Sequence, residues 1–478
     1  MAYYHGIKTS EQSTALLTTN EAGCGIPVFI GTAPIHTVGG EVNVPIQALS
    51  DKEARTALGY SYNWGKYTLC EAIYSQFTLY GVEPAYFINV LDPVKHSTAA
   101  PKTRYQFENK KIKLPYEVIL GTLVVTDEAG ETTYTKDTDY AAYYDDDNCI
   151  IEFLPGGAIV ESAPVQVTYT AIDPSKVTSA DIIGGYDLAT GKYSGIAAVD
   201  LVFPKYRVIP DLLAAPGWSH DSEVAAVMES KAQEITGIFR GHALIDVNSE
   251  TVKKYSDVPA WKNQKNIMSP YQQLYWPMVA LGGKKYHLST QNAGLMGVTD
   301  IANGDCPSES QSNKNLKADS IVLADGTTLN LTLNEANYLN QNGICTALNF
   351  IGGYKAWGNE TAAYPENQDV KDYMMAISRT FKWAAKSFIL SYWSQIDKKI
   401  TPRFVETIVD SFNIYLNNLT AQGKILGGRI EFTQAENSNA DLMAGKIKFH
   451  VYLTPPSAAR EIEAVFEYDV SYLETLFK

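Results

Sequence analysis

Past Thr454-Pro455-Pro456-Ser457 the chain resumes, from Arg460 to Tyr472, with a regular two-residue alternation. Ile462, Ala464, Phe466, Tyr468, Val470 and Tyr472 fall on one face; Glu461, Glu463, Glu467 and Asp469 fall on the other. Period two over this length specifies a half-buried β-strand. A terminus frays unless something holds it, and the stiff Pro-Pro spacer sets this one apart from what precedes it. The strand is therefore either the last strand of the chain's own sheet or an arm that joins the sheet of a neighbouring subunit.

The rest of the chain changes its pattern several times. Residues 1–22 are polar and lack a helical stripe, as an extended arm would be. Ile26 to Pro34 reads as a buried strand, Lys66 to Tyr80 as a helix with Leu69, Ile73, Phe77 and Tyr80 on one side, and Pro84 to Leu91 as a second strand, together a β-α-β unit. From about 94 to 175 only strand and turn signals occur, which predicts a small inserted β-sandwich. Strand and helix then alternate again: Ile209 to Gly217, a helix capped by Asp221 or Ser222, and Ala243 to Val247. A hairpin is expected with Ile321-Val322-Leu323 and Thr328 to Leu331 as its arms. A long helix is expected from Asp369 to Trp393. A second opens with Thr401 as cap and Pro402 in its first turn, and stops near Gly423. Strands follow at Gly428–Thr433 and Lys446–Leu453.

With 478 residues the chain has room for two to four domains. Its 45% hydrophobic and 19% charged content excludes a disordered protein. A net charge of −14 with no basic block argues against nucleic acid as a partner. The 31 tyrosines, against 16 phenylalanines, lean towards assembly, since Tyr is favoured at interfaces. Cys24, Cys70, Cys149, Cys306 and Cys345 include no CxxC pair and read as buried thiols of a reduced, cytosolically assembled protein. Met1 to His5 has no signal-peptide character, and no apolar run approaches membrane-spanning length, so direct membrane insertion is not expected.

Candidate chemistry is sparse. Gly23-Cys24-Gly25 precedes a strand, where a dinucleotide fingerprint must follow one, and it lacks the third glycine. Gly185 to Lys192 is one residue too long for a phosphate loop, and Tyr193 stands where Ser or Thr would hold magnesium. The seven histidines form no metal pair. Ser219-His220-Asp221 lies past a strand end, but three adjacent residues cannot point at one another as a triad does, and Asp221 is explained as a helix cap. Asp145 to Asn148 lacks the glycine and distal glutamate of a calcium loop and reads as a hairpin turn. No catalytic, metal-binding or cofactor-binding residue is expected. Lys382, Lys386, Lys398, Lys399 and Arg403 are either a solvated face or a basic patch for an acidic partner.

The order of these parts resembles the tail sheath protein of contractile bacteriophages, R-type bacteriocins and related contractile injection systems. Four stretches carry the resemblance: Asp173 to Gly185, Leu333 to Ile344, Gly352 to Asn359, and the late helix pair with Gly427-Gly428-Arg429 and the closing strand. One departure is Asn359-Glu360-Thr361, where sheath proteins often carry Arg-Thr after Trp-Gly.

The resemblance implies a multidomain α/β fold. An N-terminal arm (1–22) is followed by an α/β domain (23–93 with 176–365) carrying an inserted β-sandwich (94–175). A C-terminal sheath domain (366–456) and a C-terminal strand arm (457–478) complete it. It also implies a mechanical function. Subunits stack as a six-fold helical homo-polymer around an inner tail tube protein, between baseplate and tail terminator proteins. Contraction drives the tube through a target envelope. The particle is a virion tail or phage-tail-like particle assembled in the bacterial cytoplasm.

In this reading the arms, around Ile7, Lys8 and Thr9 and at Ile462 to Tyr472, lend strands to neighbours. Ile430, Phe432, Ile447, Phe449, Val451 and Leu453 form the receiving sheet, and Lys382, Lys386, Lys398, Lys399 and Arg403 face the tube. The competing readings are a non-contractile, capsid-like assembly protein and an α/β enzyme. The enzyme reading needs convergent acid, base or metal ligands that the sequence does not display.

Overall fold

The computed structural model describes residues 19–477. Its centre is an eight-stranded sheet made of β1 (Pro27–Gly31), β2 (Ile46–Ala48), β3 (Ala85–Asn89), β4 (Leu212–Ala214), β5 (His242–Asp246), β6 (Gln272–Tyr275), β7 (Ile344–Asn349) and β8 (Tyr354–Trp357). The spatial order is β2-β3-β1-β4-β5-β6-β7-β8. From β3 to β7 every neighbouring pair is parallel, while β2 and β8 close the two edges antiparallel.

Parallel strands need both faces covered, and side chains one apart point to opposite faces. Val28, Ile30, Ile88, Leu213 and Ile245 accordingly enter one core. Phe29, Phe87, Leu212, Ala214 and Leu244 enter the other. The helices that fill these cores include α1 (Thr68–Ile73, continued by a wider π turn to Tyr80), α2 (Ser222–Gln233) and α3 (Leu288–Ala302). Asp221 caps α2 by accepting from the Glu223 amide at 2.9 Å, as the sequence pattern requires.

The inserted segment forms a three-stranded and a four-stranded antiparallel sheet, with Ile112, Leu114, Val125, Cys149, Ile151 and Val167 between them. Ser97–Ala99 pairs with Thr170–Ile172 where the chain enters and leaves. The supposed phosphate loop is the turn of the hairpin Gly185–Asp187 and Lys192–Ser194, and the acidic run is the turn between Tyr140–Asp145 and Asn148–Phe153.

One expected helix is interrupted. The 369–393 helix breaks at Met374, which is extended (ψ 114°), so that Val370–Tyr373 is a separate turn and the long helix, α4, runs Met375–Tyr392. Met374 bridges to Glu360 and the Met375 amide donates to the Asn359 carbonyl at 2.8 Å. The loop that departs from the sheath pattern thus takes up the backbone that would have continued the helix.

Candidate assembly surfaces

Helix α5 (Pro402–Ala421) begins where its sequence says it should: the Thr401 hydroxyl accepts from the Phe404 amide at 3.1 Å, and Pro402 occupies the first turn. Its Ile408, Phe412, Tyr415, Leu416 and Leu419 pack on Trp383, Ala384 and Tyr392 of α4. The Phe388 and Phe412 rings meet edge-on, 5.2 Å apart. On the flank of α5 lies a two-stranded antiparallel sheet, β9 (Gly427–Glu431) with β10 (His450–Thr454), in the register Ile430↔Val451. A lone two-stranded ribbon is marginal in water. This one is anchored by Ile430, Phe449 and Leu453 on the α5 core.

The two edges of this ribbon differ. The Asn413 amide of α5 donates to the Ile430 carbonyl (3.1 Å) and accepts from the Ile430 amide (2.9 Å). Ile430 therefore turns its backbone away from β10, which makes Ile430↔Val451 the non-hydrogen-bonded kind of antiparallel pair. Val451 and Leu453 then point their own N–H and C=O groups outward, and β10 has no strand beside it there among the described residues. Asn437 clamps the Lys448 backbone on the inward side in the same manner, at 2.7 and 2.9 Å. That clamp is why the strand expected from Lys446 begins only at His450. Of the proposed receiving residues, Ile430 is buried, Phe432, Ile447, Phe449 and Leu453 are half-buried, and Val451 is exposed at the open edge.

The C-terminal arm is not a strand within the single chain. Residues 455–469 carry no regular element, and 3-10 turns run Val470–Phe477. Its apolar face lies in solvent: Ile462 is 87% exposed, Phe466 95% and Tyr468 75%, with Ala464, Val470 and Tyr472 exposed as well. A strand's hydrogen bonds are all made to another strand, and the arm has none beside it among the described residues. The candidate N-terminal residues Ile7, Lys8 and Thr9 lie outside the described residues.

The basic group divides in two, and for half of it the expectation is corrected. Lys386 is buried, and Lys382 sits against His242 Nε2 (2.6 Å), Ser378 Oγ (2.7 Å) and the Tyr271 ring (4.4 Å). Burial drives Lys382 well below its usual range and does the same to His242, which is further depressed by Lys382 itself. These lysines face the α/β sheet because the same side of α4 carries Arg379. That guanidinium lies between Asp300, which it meets through both terminal nitrogens, and Asp211, 3.3 Å away. Lys398, Lys399 and Arg403 are exposed at the turn between α4 and α5, beside exposed Trp393 and Ile396.

The seat of the N-terminal segment is a feature that sequence reasoning missed. Trp383, Ser387 and Ser391, at four-residue steps along α4, share a face. Trp383 Nε1 donates to the Ala22 carbonyl (2.6 Å), Ser387 Oγ accepts from the Ala22 amide (3.0 Å) and Ser391 Oγ from the Asn20 amide (2.8 Å). Asp211 then receives the Ile26 amide at 2.7 Å. The Ser-x-x-x-Ser spacing was a visible signal, but nothing in the sequence names what it binds.

Two stacked cores, a clamped two-stranded ribbon and an exposed apolar terminus define a subunit with a packed body and an exposed arm. No family model matches the chain. It is similar along nearly its whole length to the tail sheath protein of Burkholderia phage BcepMu: 29% identical over 495 aligned positions, covering 99% of this chain and 98% of that one. It is 25% identical to the tail sheath protein of Escherichia phage P2, over 58% of this chain and 68% of that protein. Among solved structures, it shares its fold with the contracted PVC sheath of an extracellular contractile injection system, with a TM-score of 0.60 at 13% identity, covering 98% of this chain and 99% of that one. The contracted helical sheath of the anti-feeding prophage gives a TM-score of 0.58 at 14% identity, covering 98% of this chain and all of that one. The resemblance to contractile tail sheath proteins, seen first in the order of the parts, therefore holds in both sequence and fold over essentially the whole chain.

Proposed function

We propose that this chain is the structural subunit of a contractile tail sheath. It polymerises as a six-fold helical lattice around an inner tail tube and contracts to drive the tube through a target envelope. The observation that carries the reading is the full-length similarity to the BcepMu tail sheath protein, joined to an exposed apolar arm and an open strand edge in one subunit. The role is mechanical rather than enzymatic. The particle is a virion tail or phage-tail-like particle, built in the bacterial cytoplasm between a baseplate and a tail terminator.

In this reading the arm of one subunit pairs with the Val451–Leu453 edge of a neighbour, and the N-terminal arm makes a second linkage. Each ladder hydrogen bond adds about 0.5–1.5 kcal/mol net, and burial of Ile462, Phe466, Tyr468, Val470 and Tyr472 about 1.5–3 kcal/mol apiece. Ordering the arm costs about 1–2 kcal/mol per residue, so a single linkage is marginal and the lattice holds by several at once. Glu461, Glu463 and Glu467 oppose strand pairing between free subunits. Lys398, Lys399 and Arg403 face the inner tube.

Negative-stain electron microscopy of the full chain expressed alone tests the reading. Long hollow cylinders with helical cross-striation are expected. Monomers that stay monomeric when a tube protein is co-expressed would contradict it. Charge reversal at Lys398, Lys399 and Arg403 is expected to weaken co-assembly with the tube while leaving tube-free cylinders intact.

A further inference from the structure

The α/β body contains a recess that the proposed sheath contacts do not use. In an open parallel sheet a crevice forms beyond the strand C-termini, where successive connections leave one strand in opposite directions. That point lies between β1 and β4, because β3 flanks β1 on one side and β4 on the other. The crevice has a volume of about 740 Å³, within the roughly 300–1,000 Å³ of small-molecule sites. Thr32 follows β1, Gly217 and His220 follow β4, Asp246 ends β5, and Glu71 and His287 come from the starts of α1 and α3.

The floor is organised by hydrogen bonds. Glu71 is buried; one of its oxygens accepts from the His287 amide at 2.7 Å and the other meets His287 Nδ1 at 2.8 Å. The imidazole is thereby fixed with Nδ1 towards Glu71 and Nε2 turned the other way. Burial opposes charge on this ring, but the Glu71 carboxylate more than offsets it and raises His287 to about 9, so Nε2 carries a proton at neutral pH. Asp246 is turned inward: it accepts from the Ser289 amide at 3.0 Å and from the Ser289 and Ser219 hydroxyls.

Both buried carboxylates are thus spent on the N-terminal turn of α3; His287, His220 and Lys284 are left as donors for the crevice, with the exposed Glu250 as the remaining carboxylate of its lining. Lys284 stands at the rim over Tyr62 (3.8 Å) and Trp64 (4.5 Å) and forms no ion pair among the described residues. Gly217 has φ +79°, and a side chain there would meet Thr68 at 3.2 Å and approach the His287 ring at 3.9 Å. Glycine both permits that turn and keeps the ring accessible.

We propose that this crevice binds a small oxyanion, the phosphate or carboxylate group of a metabolite-sized molecule, between His287, His220 and Lys284. The idea is independent of the sheath reading, since it concerns the monomer's own body. His220 is held down by burial and then by the charge on His287. Asp221, Glu250 and Lys265 are the other charged groups acting on it, the two acids favouring its protonation and the lysine opposing it. A bound anion offsets the His287 repulsion, so binding takes up a proton at His220 and strengthens as pH falls.

The test is a titration of the full chain, kept monomeric, with inorganic phosphate and separately with acetate. The readout is the ring carbon resonances of ¹³C-labelled histidines. Saturable shifts confined to His287 and His220 are expected, with affinity rising up to about tenfold per pH unit as pH is lowered above the His220 titration. A response to either anion supports the site and names the group it prefers. Lys284→Gln, which keeps an unbranched side-chain stem over Tyr62 and Trp64, is expected to weaken binding about tenfold with an unchanged melting temperature. No saturable shift with either anion, or equal affinity in Lys284→Gln, would overturn the proposal.

Discussion

Two sheets of this molecule end in different ways. The eight-stranded sheet closes itself: its parallel centre is covered on both faces, and its margins are finished by the antiparallel strands β2 and β8. The β9–β10 ribbon does the reverse. One edge is sealed by a single helix side chain, Asn413, and the other presents Val451 and Leu453 with no strand beside them among the described residues. The same chain also carries a patterned apolar arm in solvent. An open edge is an aggregation hazard unless it is managed. An open strand edge together with an exposed apolar arm is what a subunit built for ordered polymerisation needs. The central sheet is covered on both faces, and the assembly surfaces are not covered.

That contrast can be broken from the body side. Arg379→Ala leaves Asp211 and Asp300 buried without their cation, which is expected to cost about 3–5 kcal/mol. Urea unfolding should show a large loss of stability. A loss below 1 kcal/mol would mean that the α4–sheet junction is not held by this triad.

Asn413→Ala removes both clamps on Ile430 and is expected to cost about 1–3 kcal/mol, with a second effect that stability alone does not report. The β9 edge becomes open too, so electron microscopy should show irregular aggregates in place of the ordered cylinders expected of the parent chain.

The smallest effect is on pH. His242 is kept neutral by burial and by Lys382, so its folded-state pKa lies below its unfolded value. Such a group costs stability as pH falls below its unfolded value of about 6.5, at up to about 1.4 kcal/mol per pH unit. His287 is raised to about 9, and its contribution is complete below pH 6.5 and lost as pH rises through 9. His242→Asn should flatten the acid limb of the stability–pH profile and leave the alkaline limb unchanged.

The sequence made the elements legible wherever local chemistry decides them. Short apolar runs located β1 and β3, helical spacing located α2 and α5, and Thr401-Pro402 placed a helix start to the residue. What stayed hidden was decided by long-range contact. Met374 looks helical in its own window, but the Glu360 loop, distant in sequence, holds it extended. Lys382 and Lys386 look like a solvated face, because a lysine's position alone does not show that α4 lies with that side against His242 and Asp211. The Asn413 clamp is one polar residue on an amphipathic helix, indistinguishable by pattern from its neighbours Asn417 and Asn418. For the arm, the pattern specifies a strand, while among the described residues no strand stands beside it.

The central claim is that assembly resides in the arm and folding in the body. The most direct measurement is electron microscopy and thermal unfolding of the chain lacking residues 460–478, side by side with the full chain. The account predicts cylinders from the full chain, none from the truncated one, and the same unfolding transition for both. Cylinders of normal length from the truncated chain, or loss of its folded body, would contradict it.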